Sequence, residues 1–244
     1  MSAAKRPRLI VALDVASLEG ALALVEQLRD LDAIFKIGYE SLFGYGEAIR
    51  AKLEALGAPT FVDAKLHDIP RTVDAAMRAL VRPSVEIITV HAQGGNDMMV
   101  AAVAAAAERA RELGIAPPKI FAVTILTSIA PEELLELGLH GGPGENVMRL
   151  AALARDARCD GVVCSAHEVP DLKAFFGGGF LALCGGIRPT GSVHGDQKRV
   201  ATPRSAVEAG ADFLVVGRPI TEARDPVAAA RAILAEMESA RDGR

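Results

Sequence analysis

Residues 60–72 read TFVDAKLHDIPRT, so Asp63, Lys65 and Asp68 set two carboxylates around one ammonium at the end of an apolar stretch. On a β-strand, alternate residues project from the same face, which points Asp63 and Lys65 together into whatever the strand lines. Asp68 falls outside that rule. It precedes Ile69-Pro70, where a strand cannot comfortably continue, so its carboxylate is expected on a loop or helix start. The bland reading of Asp63 and Lys65 is a surface salt bridge, worth about 0–1 kcal/mol. An interior array is the functional reading, because charges are rarely buried unpaired and paired arrays cluster at active sites.

Eight short apolar runs supply strands to position these groups: 9–13, 34–37, 60–65, 87–91, 120–126, 161–164, 181–184 and 213–216. Helix-favouring stretches lie between them at 18–31, 46–56, 73–81, 146–157 and 226–239, and a further helix through Met98 ends at Gly114. Alternation of this kind over 244 residues predicts one α/β domain, a (β/α)₈ TIM barrel over 1–244, with an open doubly wound sheet as the competitor.

Barrels of this type place their chemistry at the C-terminal strand ends. Those ends carry Asp14, Lys36, Asp63 with Lys65, His91, Thr124 with Thr127, and Ser165. The last two read Gly185-Gly186-Ile187-Arg188 and Gly217-Arg218, where small residues admit backbone approach and a guanidinium can fork onto an anion. A phosphate site after strands seven and eight makes a phosphorylated small molecule the first substrate class.

Composition narrows the alternatives. Half the residues are apolar and the net charge is -4, which supplies a core but no concentrated basic field for nucleic acid. Cys159, Cys164 and Cys184 form no CxxC pair, and the latter two lie in apolar runs, as suits a reducing, cytoplasmic compartment. The apolar run before Asp14 is too short for a signal-peptide core, and no stretch is long enough to span a membrane. His67, His91, His140, His167 and His194 lack metal-ligand spacing, and no strand-linked dinucleotide fingerprint occurs, so neither metal nor cofactor is expected.

The ordered segments LDV at Asp14, FKIG at Lys36, DAKLHDIPRT, TVHAQGG, VTILTS, SAHE, GGIRPTGSVHGDQKR and VVGRPI resemble the orotidine 5'-phosphate decarboxylase family across nearly the whole chain. DxKxxD alone is shared by related phosphate-binding barrels, whereas GIRP followed by Gly195-Asp196-Gln197 is more discriminating. Arg71 departs from the family pattern, which commonly has Asn there.

The resemblance implies decarboxylation of orotidine 5'-phosphate to UMP, in pyrimidine biosynthesis, without metal or cofactor. Lys65 would stabilise and protonate a carbanion at C6, held by Lys36, Asp63 and Asp68. It also implies a homodimer in which Asp68, Ile69 and Thr72 complete the neighbouring subunit's pocket. Asp14 and Lys36 would contact ribose, Thr127 the pyrimidine edge, and Arg188, Gln197, Gly217 and Arg218 the phosphate. Residues 188–202 would form the loop that closes on it. The rivals are a magnesium-dependent sugar-phosphate decarboxylase or aldolase of the same barrel group and a catalytically silent nucleotide-binding barrel. Lys36 disfavours the first, since an ammonium has no lone pair for magnesium where that branch offers a glutamate.

Overall fold

The computed structural model describes residues 6–189 and 199–242. Its eight parallel strands close in sequence order, β1 (Arg8–Ala12), β2 (Ala33–Ile37), β3 (Thr60–Leu66), β4 (Val85–His91), β5 (Lys119–Val123), β6 (Gly161–Cys164), β7 (Leu181–Cys184) and β8 (Phe213–Val216), with β8 pairing back onto β1. The helices are α1 (Leu18–Leu28), α2 (Tyr39–Ala55), α3 (Pro70–Leu80), α4 (Asn96–Leu113), α5 (Glu133–Glu136), α6 (Pro143–Asp156), α7 (Val169–Phe176), α8 (Pro203–Ala209), α9 (Arg218–Thr221) and α10 (Pro226–Asp242). The closed barrel decides against the open sheet.

Because strands of a barrel are covered on both faces, alternate residues feed two separate apolar layers. The inward set, including Ile10, Ile34, Phe61, Ile87, Phe121, Leu183 and Phe213, plugs the barrel, with Phe121 and Phe213 edge to face at 5.6 Å. The outward set packs under the helices and contains Cys164 and Cys184, which are register partners on β6 and β7. Gly161 is dictated by its neighbour, since a Cβ there would run into the Leu181 backbone of β7.

Local signals set the helix ends that matter for the site. Pro70 opens α3, where its missing N–H is no loss and its fixed φ suits the first turn. Gly114 closes α4 in the left-handed region at φ 67°, as its position predicts. Two readings need adjustment. α2 begins at Tyr39 and bends at Gly46 (φ 50°, ψ -119°), so the helix expected from Gly46 is only its second half. β5 stops at Val123 rather than Leu126, and Thr124 turns its hydroxyl to the Val163 carbonyl at 2.8 Å, starting a loop. Among the described residues no helix is long and apolar enough to cross a membrane.

Candidate active site

A cavity of about 610 Å³ opens at the C-terminal strand ends, floored by the barrel plug through Phe61, Val163, Leu183 and Val215. Asp14, Lys36, Asp63, Lys65, Thr127, Arg188, Gly217 and Arg218, all expected from sequence, line this single space. They come from β2, β3 and the segments after β1, β5, β7 and β8, so only barrel closure brings them together. Gln197 and most of the 188–202 stretch lie outside the described residues.

Four of these side chains form a row of alternating charge. Lys36 Nζ donates to both Asp14 oxygens at 3.0 and 3.1 Å and stands 4.0 Å from Asp63 Oδ2. Lys65 Nζ meets that same Asp63 oxygen at 2.5 Å. The Lys36 side chain is buried at 9% exposure, whereas that of Asp14 is 47% exposed and can reach a ligand in the cavity. Paired in this way, the ammonium groups avoid the cost of standing uncompensated in the interior.

The strand geometry that aims Asp63 and Lys65 together is less regular than alternation implies. The β3–β4 register shifts between Val62 and Leu66, and Lys65 takes a left-handed φ of 44°, costly for a residue with a Cβ. A buried threonine on β4 holds the bulge. Thr89 Oγ1 accepts from Lys65 N at 2.9 Å and donates to Asp63 Oδ1 at 2.9 Å, linking the Lys65 backbone to its partner carboxylate. Sequence reasoning gave Thr89 no role, and its only signal is a hydroxyl within the apolar run IITV.

Two further residues were missed. Gly38 gives the Asp14–Lys36 pair its room, because a Cβ there would lie 2.9 Å from Lys36 Nζ and 3.3 Å from Asp14 Oδ1. Tyr39 places its ring centroid 5.4 Å from Lys65 Nζ, a cation–π distance, and burial followed by the Asp63 charge raises its phenol pKa.

Asp68, Ile69 and Thr72 stand apart from the cavity. All three are exposed, Ile69 by 65%, and among the described residues no cation pairs with Asp68, whose Oδ1 accepts only from Ile69 N at 2.6 Å. His91 turns toward His67, with ring centroids 5.5 Å apart, and its buried Nδ1 has no hydrogen-bond partner among the described residues. Burial lowers its pKa, with His67 and Lys65 adding to the effect and Asp63 opposing it.

Arg188 is 9% exposed and donates to the Ile187 carbonyl at 2.9 Å, while Arg218 follows Gly217 at the start of α9. Two guanidiniums beside Gly185 and Gly186 make this end of the cavity suited to an anion. The opposite end, with Lys65 backed by Asp63 and Lys36, can stabilise negative charge developing on carbon and deliver a proton to it.

Comparison with known proteins identifies the family. Residues 7–233 match the family model described as Orotidine 5'-phosphate decarboxylase / HUMPS family. The chain is 47% identical to orotidine 5'-phosphate decarboxylase of Moorella thermoacetica, covering 96% of this chain and 93% of that protein. The enzyme of the same name from Gluconobacter oxydans is 46% identical, over 97% of this chain and 99% of the other. Among solved structures, orotidine 5'-phosphate decarboxylase from Lactobacillus acidophilus superposes with a TM-score of 0.84 at 38% identity, covering 96% and 99% of the two chains.

Proposed function

The chain belongs to the orotidine 5'-phosphate decarboxylase / HUMPS family, and from that premise we propose which residues carry out its reaction. The protein is a carboxy-lyase that converts orotidine 5'-phosphate to UMP and carbon dioxide in pyrimidine biosynthesis. The Asp14–Lys36–Asp63–Lys65 row along one cavity wall carries the assignment of roles.

The C6–carboxylate bond breaks with its electron pair left on C6, and carbon dioxide departs. Lys65 places its ammonium beside that carbon, stabilises the carbanion, and transfers a proton from Nζ to C6. The resulting amine recovers a proton from solvent. Asp63 and Thr89 hold Lys65 before charge develops, so little reorganisation is needed during bond cleavage. Repulsion between Asp63 and the substrate carboxylate is a secondary contribution.

Asp14 and Lys36 take the ribose hydroxyls, Thr127 the pyrimidine edge, and Arg188, Gln197, Gly217 and Arg218 the phosphate; the expected closing stretch 188–202 lies mostly outside the described residues. Binding energy from the remote phosphate supports the chemistry at C6, so orotidine lacking it loses turnover as well as affinity. Asp68, Ile69 and Thr72 serve the neighbouring site in a homodimer, which suits their exposure and the lack of a cation beside Asp68 among the described residues. The working compartment is cytoplasmic. Lys36 supports this reading over a magnesium-dependent relative, because it puts an ammonium where a metal needs an oxygen donor.

The test is conversion of orotidine 5'-phosphate to UMP, followed by ultraviolet absorbance with and without EDTA. Conversion unaffected by EDTA supports the assignment. Tight UMP binding without conversion would indicate a silent nucleotide-binding barrel, and loss of activity in EDTA would indicate a metal requirement.

A further inference from the structure

A second charge pair lies just behind the cavity wall and takes no part in the row described above. Glu168 ends a short turn (166–168) after β6, and Arg199 stands where the description resumes before α8. Their side chains are only 8% and 13% exposed, and Arg199 Nη1 donates to Glu168 Oε1. Glu168 Oε2 accepts from Ser165 N at 2.8 Å, and Arg199 Nη2 donates to the Ile125 carbonyl at 3.3 Å. One guanidinium therefore ties the segment after β6 to the segment after β5.

Its chain is also tied to the segment after β7. Two residues beyond Arg199, Ala201 bridges Ile187: its carbonyl accepts from Arg188 N at 2.9 Å and its N–H donates to the Gly186 carbonyl at 3.3 Å. Ile125, Thr127, Gly186 and Arg188 all line the cavity. We propose that Glu168 and Arg199 are positioning residues for the decarboxylation, fixing the wall that carries Thr127 against the wall that carries Arg188. This rests on Arg188 holding the substrate phosphate, as assigned above.

Stability alone does not account for the pair. Buried ion pairs are often no more stabilising than apolar residues of similar volume. Here burial pushes the Glu168 carboxyl pKa up despite the opposing pull of Arg199. What the pair supplies is geometry, since the planar guanidinium reaches a carboxylate and a carbonyl from different strand ends at once. Displacing a phosphate-binding arginine by about 1 Å can cost roughly 10²-fold in rate, even far from the reacting bond.

Removing one partner strands a buried charge, so the informative variant is Glu168→Gln with Arg199→Met, in which Gln can still accept from Ser165 N. Steady-state kcat and KM are measured for orotidine 5'-phosphate and for orotidine, beside a thermal melt, with Arg188→Ala as the reference. Arg188→Ala should lose far more kcat/KM with the phosphorylated substrate than with orotidine. The double variant should melt near the parent yet show the same selective loss, of about 10- to 100-fold. Arg199→Lys, which keeps the charge but cannot reach both acceptors, should fall between.

Parent-like kinetics in the double variant, or equal loss on both substrates while Arg188→Ala is selective, would overturn the positioning role. Should the double variant not fold, an Arg199→Lys enzyme with parent-like kinetics on both substrates would do the same. An unselective Arg188→Ala would instead overturn the phosphate assignment and the positioning role with it.

Discussion

Thr89→Val isolates how Lys65 is held, because it keeps the shape of the side chain and removes only the hydroxyl. Two bonds disappear, Lys65 N to Thr89 Oγ1 and Thr89 Oγ1 to Asp63 Oδ1, both 2.9 Å. The first is a neutral bond worth about 1 kcal/mol and the second reaches a carboxylate, worth about 1.5–3 kcal/mol. Against that loss, the backbone of Lys65 can leave its left-handed φ of 44°, recovering about 1–2 kcal/mol. The net cost is then about 0.5–3 kcal/mol. For a chain of this size it lowers the melting temperature by about 1–12 °C.

The kinetic effect should be larger than the stability effect. Once the bulge relaxes, Lys65 Nζ no longer sits where Asp63 and the cavity wall place it, and a shift near 1 Å costs about 10²-fold in kcat/KM. Thermal melts and steady-state decarboxylation of Thr89→Val and Thr89→Ser read both quantities, with Ser restoring the hydroxyl and most of the rate. A folded Thr89→Val enzyme with parent kcat/KM would refute the claim that this hydroxyl positions Lys65.

Three other outcomes follow from the geometry. Gly38→Ala puts a methyl group 2.9 Å from Lys36 Nζ, so the Asp14–Lys36 pair must move; KM should rise about tenfold, and unchanged kinetics would count against their ribose contacts. His91 has a lowered pKa in the folded chain, so the unfolded chain takes up the proton first. Its contribution is complete above about pH 6.5 and is lost as pH falls below it, and His91→Gln should flatten the denaturant midpoint over that range, where an unchanged slope would clear His91. Mixing inactive Lys65→Ala with inactive Asp68→Ala should restore activity through hybrid dimers, approaching about one quarter of the parent. No recovery after confirmed subunit exchange would show that Asp68 does not serve the neighbouring site.

Much of the architecture was legible because the strands are short apolar runs, all but β7 rich in β-branched or aromatic residues, set between helical stretches. Helices α7 and α8 escaped notice: they span only 8 and 7 residues, too few turns for a clear period. Of the site, the charged residues announced themselves because ionisable side chains seldom stand at the ends of apolar strands. The outward turn of Asp68 was legible too, from Ile69-Pro70. What the sequence hid was tertiary. The bulge in β3 arises from its register with β4, and the role of Thr89 depends on that register. Glu168 and Arg199 are 31 residues apart and meet only because β6 and β7 are neighbours.

The central claim is that Lys65 supplies both the stabilising charge and the proton at C6. Lys65→Ala should melt near the parent and still bind UMP, while kcat for orotidine 5'-phosphate falls by about 10³-fold or more, because general-acid and electrostatic contributions are lost together. A folded, UMP-binding Lys65→Ala enzyme that retains a tenth of the parent turnover would contradict the account.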